Sequence, residues 1–340
     1  MSIYSRVDLL AAEQEGKLRI PLRRDFNPFS LDLRLGSLYR RRHEKIAGAD
    51  TENLSQEQFI AEFCEEVLVG NGLTVYPSDF YLWQPVEEIF LAEGLGGEIV
   101  SRSSWARLGS RVSSSSDDLL RSYHRSVQGR PLCTLRTTGT HLSLQQGDAL
   151  AQLVINDAPS FCLEGEVASL LQEGRVMVRR EGKTLFPQEA VAGNGILLTM
   201  GPDLAVYRGG VVRPGNALEN HFEWRHLCPK ELKYFSQGTF FISASAEEVE
   251  ISPKYVGFVV EREPETFLLP FAAHANAPYI GPRGVFQGKI TFENVMIRDG
   301  YLSAGMSQSR LLLCPLRTPL LDTKESRYNH QGGATLSKGT

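Results

Sequence analysis

The sequence repeats itself once, and this repeat constrains the fold more than any other feature. Residues 80–82, Phe-Tyr-Leu, recur 160 residues later as residues 240–242, Phe-Phe-Ile. Three further pairs share this offset: Gly97 with Gly257, Val100 with Val260, and Arg102 with Arg262. Two pairs flank them at offsets of 165 and 158: Leu35-Gly36 with Met200-Gly201, and Gln146-Gly147 with Ala304-Gly305. Offsets that drift so little, in chain order, predict two copies of one fold separated by small loop insertions.

The length of the chain fits this interpretation, since 340 residues are enough for two domains. We place the boundary at residues 157–164, so that residues 1–160 form one domain and residues 165–340 the other. Each half also opens with a similar segment. Residues 7–17 are predicted to form a short helix that ends at a glycine. Residues 170–175 repeat its pattern of two leucines followed by glutamate, glycine and a basic residue.

Strand patterns dominate the rest of the sequence. Apolar and polar residues alternate over residues 30–36, as in a half-buried strand. Other short apolar segments between turn residues are 73–76, 80–83, 89–91 and 150–155. Many short strands at such spacing predict a mainly β sandwich, jelly roll or barrel. One helical pattern, residues 55–68, is predicted to be an insertion between strands.

Composition excludes several classes of protein. The formal net charge of −4 argues against a broad nucleic-acid surface. No apolar run is long enough to span a membrane, and the first 13 residues lack a signal-peptide pattern, so a cytoplasmic location is expected. The five cysteines are scattered without a C-x-x-C pair, which argues against a disulfide framework and a zinc site.

The sharpest motif is Ser-Arg-Ser-Ser-Trp-Ala-Arg-Leu-Gly at residues 101–109, directly after a predicted strand. The guanidinium groups of Arg102 and Arg107 offer planar sets of donors that suit phosphate oxygens. Serine hydroxyls and the first backbone N–H groups of a helix can complete an anion site. Read on its own, the motif is equally typical of a solvated helix start with a serine N-cap.

This motif resembles the phosphate-binding signature of the dCTP deaminase and dUTPase superfamily. Residues 288–294, Gly-Lys-Ile-Thr-Phe-Glu-Asn, resemble the strand that carries the catalytic glutamate of that family. Residues 328–333 resemble its C-terminal closing segment. The whole layout is similar to the tandem two-domain bacterial dCTP deaminases. The resemblance implies a mainly β fold of two tandem dUTPase-like domains, each a distorted jelly roll or β-barrel with a short N-terminal helix.

The two halves divide these features between them. The first half carries the phosphate signature, but its counterpart of the glutamate strand, residues 132–138, contains no carboxylate. The second half supplies Glu293, but its counterpart of the signature, residues 262–264, reads Arg-Glu-Pro. The resemblance implies a site between the subunits of a trimer, so a split of these features across fused domains predicts one composite site per chain.

The resemblance assigns a role to each candidate residue. Glu293 is expected to be the general base that activates water, Ser103 to hydrogen-bond near the reacting centre, and Arg107 to contact the substrate and orient the water. The substrate-binding residues are expected to be Arg102 and Ser104 at the phosphates, Ala277 at the cytosine edge, and Tyr328 and Gln331 in the closing tail. Without the family context, Glu293 is typical of a surface strand glutamate, and the two tail residues could be ordinary terminal residues.

The resulting hypothesis is deamination of dCTP to dUTP, with Mg²⁺ bound through the substrate triphosphate and with no catalytic zinc. The expected partners are this nucleotide and further copies of the chain in trimeric or pseudo-trimeric packing, not nucleic acid or membrane. Gly281 stands where dUTPases have their water-activating aspartate, which disfavours dUTP hydrolysis. A dUTPase, a bifunctional enzyme that releases dUMP, and an inactive nucleotide-binding regulator remain the alternatives.

Overall fold

A computed structural model describes the chain over residues 2–21, 26–42, 55–70, 72–114, 126–157, 161–261, 270–274, 279–280, 286–319 and 332–336. The described chain is mainly β, as predicted. Its helices are α1 Arg6–Gln14, α2 Gln56–Phe63, α3 Ser103–Ala106, α4 Glu164–Gln172 and α5 Pro187–Ala190, with a 3-10 turn at Leu218–Asn220.

Strands alternate with turns along both halves. Those of the first half are β1 Leu18–Arg19, β2 Leu31–Arg41, β3 Cys64–Glu66, β4 Leu73–Val75, β5 Tyr81–Pro85, β6 Ile89–Leu91, β7 Gly96–Ser101, β8 Ser110–Ser114, β9 Val127–Gly129, β10 Cys133–Thr137, β11 His141–Leu144 and β12 Ala149–Asn156. Those of the second half are β13 Val176–Arg180, β14 Lys183–Thr184, β15 Val191–Ala192, β16 Gly195–Tyr207, β17 Val211–Val212, β18 Phe222–His226, β19 Lys233–Phe235, β20 Phe240–Ile251, β21 Tyr255–Glu261, β22 Phe271–His274, β23 Tyr279–Ile280, β24 Phe286–Met296, β25 Gly300–Leu302 and β26 Ser307–Pro315.

Six strands of the first half close into a barrel. Their order is β12-β7-β8-β10-β5-β2, and β12 pairs with β2 to complete the ring. Tyr81 and Trp83 from β5 and Leu135 from β10 have no exposed surface, because alternate residues of each strand point inward. The strands predicted at residues 30–36, 73–76, 80–83, 89–91 and 150–155 are confirmed to within a few residues at their ends.

The helix predicted over residues 55–68 is wrong in its second half. The helix begins after Ser55, whose hydroxyl accepts a hydrogen bond from the Gln58 backbone N–H at 3.2 Å, and it ends at Phe63. The next residues form β3 and pair with β2. Phe63 and Cys64 are buried in a small cluster beside Leu82, so packing against the barrel overrides the helical pattern.

The second half is built around β20, which pairs with β13, β16 and β24. The sheet continues from β16 through β26 and β21 to β23. Its interior contains two separate clusters of buried apolar side chains. One includes Ile196, Phe292 and Leu313, and the other includes Met200, Phe241 and Phe271.

A buried glutamate occurs at corresponding positions of the two halves. Glu87 has no exposed surface, and it accepts a hydrogen bond from the Arg34 backbone N–H at 2.9 Å. Glu247 is equally buried, and it accepts one from the Thr199 backbone N–H at 2.8 Å. The two glutamates lie 160 residues apart and their partners 165 apart, which are the offsets of the sequence repeat.

Two glycines correspond in the same way. A Cβ atom on Gly36 would lie 2.8 Å from the carbonyl oxygen of Gln84, and one on Gly201 would lie 2.9 Å from that of Ala244. Each glycine therefore lets its strand pass closely over the neighbouring strand. These correspondences are what a duplicated fold predicts; the division into domains 1–160 and 165–340 stays a prediction.

One pair of facing residues has exchanged sizes between the halves. In the first half, the large side chain of Trp83 on β5 lies opposite the small Cys133 on β10. In the second half, the small Ser243 on β20 lies opposite the large Phe292 on β24. All four side chains are fully buried, so the interior of each half holds one large and one small residue at this level.

The halves contact each other closely. The parallel pairing of β11 with β17 places His141 beside Val211. Arg213, which follows β17, donates a hydrogen bond to Asp148 of the first half at 2.8 Å. The largest hydrophobic cluster is built mainly from first-half residues, and the later part of the chain adds Ala205, Val212, Leu218, Phe222, Phe240, Ile242, Ala244 and Ala334. Within the described ranges, none of the helices has the length and apolar character that a membrane span requires.

Candidate functional site

The signature segment forms a tight turn at the end of β7. Arg102 is the N-cap of α3, and its backbone N–H donates to the Leu150 carbonyl at 2.9 Å, which fixes the start of the turn. Its guanidinium lies 3.4 Å from a carboxylate oxygen of Asp32 on β2. Both side chains are partly exposed, so the Arg102 charge stays accessible to an anion from solvent.

The two serines of the segment differ in exposure. Ser103 is partly exposed, whereas Ser104 is 4% exposed. Among the described residues, the Ser104 hydroxyl has no hydrogen-bond partner. Buried hydroxyls are normally paired, because leaving one unpaired costs roughly 1–3 kcal/mol. The Ser104 hydroxyl is therefore available to pair with an atom of a ligand or water that reaches it.

Arg107 lies where α3 ends and is 5% exposed. Its guanidinium donates to the backbone oxygen of Thr335 at 2.8 Å and also to the Thr335 hydroxyl. Ala334, the preceding residue, is buried in the hydrophobic cluster of the first half. The described C-terminal segment, residues 332–336, therefore lies across the predicted substrate arginine. Neither Thr335 nor Asp32 was predicted as a partner of the signature.

The last residue of the signature packs against the second half. Gly109 has φ of +84°, and a Cβ atom there would lie 3.3 Å from the ring of Phe240. The Thr138 hydroxyl donates to the Gly109 carbonyl at 3.1 Å, and the Thr140 hydroxyl donates to that of Leu108. The end of the segment is thus bonded to two threonines and packed close to an aromatic ring of β20.

Glu293 lies on β24, and its side chain is 4% exposed. In the ladder it is opposite Ile242 on β20 and His274 on β22. Residues opposite each other in an antiparallel pair project from the same face of the sheet. Ile242 and Phe240 belong to the cluster built mainly from the first half, so Glu293 projects from the face that packs against the first half.

The register also identifies the first-half counterpart of Glu293. Thr134 lies opposite Leu82 in the ladder of β10 with β5, as Glu293 lies opposite Ile242. The Thr134 hydroxyl is 2.7 Å from that of Ser113 and lies at an exposed position. At this pair of equivalent positions, only the second half has a carboxylate.

Several predicted residues lie outside the described part of the chain. These are the substrate-binding candidates Ala277, Tyr328 and Gln331, the second-half counterpart of the signature at residues 262–264, and Gly281. The described residues include no group of three or more His, Cys, Asp or Glu side chains that could hold a metal ion.

Comparison with known families finds a match in the first half. Residues 3–158 match the family described as dCTP deaminase-like. The dCTP deaminase-like region contains the whole signature segment with Arg102, Ser103, Ser104 and Arg107. Glu293 lies beyond it.

A structural likeness covers the second half as well. The chain is similar to the 2'-deoxycytidine 5'-triphosphate deaminase from Agrobacterium tumefaciens, with a TM-score of 0.77 and 18% sequence identity. The match covers 94% of this chain and 96% of that one. At this identity the likeness establishes the fold alone, and it extends that fold beyond the dCTP deaminase-like region. No curated protein matches the sequence significantly.

Proposed function

We propose that this protein deaminates dCTP to dUTP, releasing ammonia. The observation that carries the proposal is the position of Glu293, a carboxylate 4% exposed, on the sheet face that packs against the half with the phosphate signature. The match of residues 3–158 to the dCTP deaminase-like family supports the substrate class. The two halves then complete one site, each supplying what the other lacks.

The proposed chemistry needs one base and one proton shuttle. Glu293 takes a proton from water, and the resulting hydroxide attacks C4 of the cytosine ring. The carboxyl passes this proton to N3, then takes the second proton from the new C4 hydroxyl and gives it to the amino group. The C4–N bond breaks as the C4 carbonyl forms, so that water and dCTP yield dUTP and ammonia. Ser103, which is partly exposed at the start of α3, donates a hydrogen bond beside the reacting ring.

The signature segment binds the triphosphate in this proposal. Arg102 presents a partly exposed guanidinium, and the unpaired Ser104 hydroxyl gains a phosphate oxygen as its partner. Mg²⁺ arrives as part of the substrate, on the triphosphate oxygens. Arg107 contacts the substrate and orients the water, and its bonds to Thr335 couple it to the C-terminal segment. Ala277, Tyr328 and Gln331 stay predictions for the cytosine edge and the tail.

The test is a product analysis of purified protein with dCTP and, separately, with dUTP, each with Mg²⁺. Ammonia and dUTP from dCTP without pyrophosphate support the proposal. Pyrophosphate and dUMP identify a dUTPase or a bifunctional enzyme instead. Nucleotide binding without any product identifies the inactive regulator. Light scattering with bound nucleotide tests the predicted homo-oligomer.

A pair of matched variants assigns the base. Glu293→Gln keeps the size of the side chain and removes its basicity, and we expect a loss of roughly 10²–10⁴-fold in kcat. Glu248→Gln is the control, because Glu248 also lies on a strand but its side chain is 37% exposed. Ammonia release by Glu293→Gln at the wild-type rate excludes Glu293 as the base.

A further inference from the structure

Phe240 is the residue that joins the strand pair of Glu293 to the signature segment. Its side chain is 1% exposed, and it is wedged against two glycines of the first half. A Cβ atom on Gly109 would lie 3.3 Å from the Phe240 ring, and a Cβ atom on Gly139 would lie 3.0 Å from the Cβ atom of Phe240. Because neither glycine has a Cβ atom, the first-half backbone leaves room for the Phe240 side chain.

The same ring is a neighbour of Glu293 on the sheet. Phe240 lies opposite Val295 in the ladder, which makes Glu293 its diagonal neighbour. Such diagonal pairs have Cα atoms about 7–8 Å apart, project from one face, and remain within reach of aromatic side chains. A shift of Phe240 against Gly109 therefore displaces Glu293 relative to Arg107, which lies two residues before that glycine.

The sequence repeat provides an internal comparison. Phe80 is the first-half counterpart of Phe240, 160 residues earlier, but its ring lies 4.5 Å below the Arg136 guanidinium and is only partly buried. The first half has no carboxylate at the position of Glu293, since Thr134 stands there. The phenylalanine is thus enclosed in glycines only in the copy that carries the carboxylate.

We infer that Phe240 is a positioning residue, which sets the distance between the Glu293 carboxylate and the Arg102–Arg107 segment. This inference rests on the proposed deamination. Phe240 touches neither the reacting atoms nor the phosphates in this scheme, and it acts through Glu293. A misplacement of a catalytic group by about 1 Å can cost on the order of 10²-fold in rate, so a loosened contact here lowers kcat more than it lowers nucleotide affinity.

The experiment compares Phe240→Leu with Phe80→Leu, the same substitution at the counterpart. We expect Phe240→Leu to lower kcat for ammonia release about 10- to 100-fold while affinity for the product dUTP, measured by calorimetry, stays at the wild-type value. Phe80→Leu keeps the wild-type kcat. Gly139→Ala presses a methyl group on Phe240 from the first-half side and is expected to lower kcat in the same way. Its φ of +100° also strains alanine, so both variants are assayed below their urea unfolding transitions, where each is folded.

A double variant separates positioning from general weakening of the fold. If Phe240 acts through Glu293, then Phe240→Leu combined with Glu293→Gln is no slower than Glu293→Gln alone. Full additivity of the two losses overturns the inference, as does a wild-type kcat in both Phe240→Leu and Gly139→Ala. Wild-type protein that releases no ammonia refutes the proposed function itself, and the inference with it.

Discussion

Glu247 is the buried carboxylate most easily mistaken for a catalytic base, and replacing it with glutamine tests our assignment. Its side chain has no exposed surface. It accepts hydrogen bonds from the Thr199 backbone N–H at 2.8 Å and hydroxyl at 2.7 Å, and from the Arg180 guanidinium at 2.6 and 2.9 Å. All of these partners are donors, so the amide NH₂ of glutamine would face at least one of them.

The magnitude of the effect follows from these partners. A hydrogen bond to a charged group contributes about 1.5–3 kcal/mol, and an unpaired buried donor costs about 1–3 kcal/mol. The Arg180 side chain is 40% exposed and can turn to solvent, so its bonds are discounted. The Thr199 backbone N–H is enclosed and cannot turn to solvent, so its hydrogen bond counts in full. We therefore expect Glu247→Gln to lower the free energy of unfolding by about 2–4 kcal/mol.

Urea unfolding followed by fluorescence measures this loss as a lower midpoint, with Glu248→Gln as the control. Glu248 pairs with the partly exposed Arg179 guanidinium at 3.5 Å, so we expect its replacement to cost no more than about 1 kcal/mol. The same three proteins and Glu293→Gln are then assayed for ammonia release below the unfolding transition. We expect Glu247→Gln to be unstable but active, and Glu293→Gln to be stable but inactive.

Two results would refute this reasoning. An unchanged urea midpoint for Glu247→Gln would mean that the hydrogen bonds to Thr199 contribute nothing measurable. A folded Glu247→Gln protein without ammonia release would make Glu247 the base and leave Glu293 as a structural residue.

Two further predictions concern thiols and glycines. Cys228 has an exposed thiol, and the other four cysteines are buried. Burial raises the pKa of the Cys133, Cys162 and Cys314 thiols, which lowers their reactivity further. A disulfide exchange reagent should therefore modify one thiol in the folded protein and five in urea. Glu231 raises the Cys228 pKa and so lowers its thiolate fraction at neutral pH, and Glu231→Gln should speed this reaction; more than one fast thiol would contradict the burial. Gly201→Ala should lower the free energy of unfolding by about 1–3 kcal/mol in the same urea assay, because its Cβ atom would lie 2.9 Å from the Ala244 carbonyl oxygen. Gly165→Ala in α4 is the control, since a Cβ atom there has open space around it. We expect that variant to be neutral or more stable by up to about 1 kcal/mol.

The strands and their repetition could be predicted from the sequence because both depend on local patterns. Alternation of apolar residues identifies a strand wherever it lies, and matching offsets reveal a second copy. The environment of a residue in the folded chain depends on contacts with distant residues, which local patterns do not reveal. Phe80 and Phe240 occupy the same place in the same pattern, yet one lies beside an arginine and the other is enclosed by glycines of the opposite half.

Other features depended on contacts between distant parts of the chain. Cys64 continues a helical pattern, but its burial beside Leu82 favours a strand there. Thr335 lies in a short polar tail without periodicity, so nothing in its neighbourhood indicates a bond to Arg107, 228 residues away. Glu293 was predicted through a family resemblance, and only the strand register shows which face of the sheet it occupies.

The exchange of sizes between Trp83–Cys133 and Ser243–Phe292 makes β5 and β20 non-interchangeable, although they correspond in the repeat. A second half with the β5 sequence in place of β20 would set a tryptophan against Phe292, which is a steric clash. A first half with the β20 sequence in place of β5 would set a serine against Cys133, which leaves a void in the barrel. A chimaera of the two halves therefore has to exchange both facing strands together.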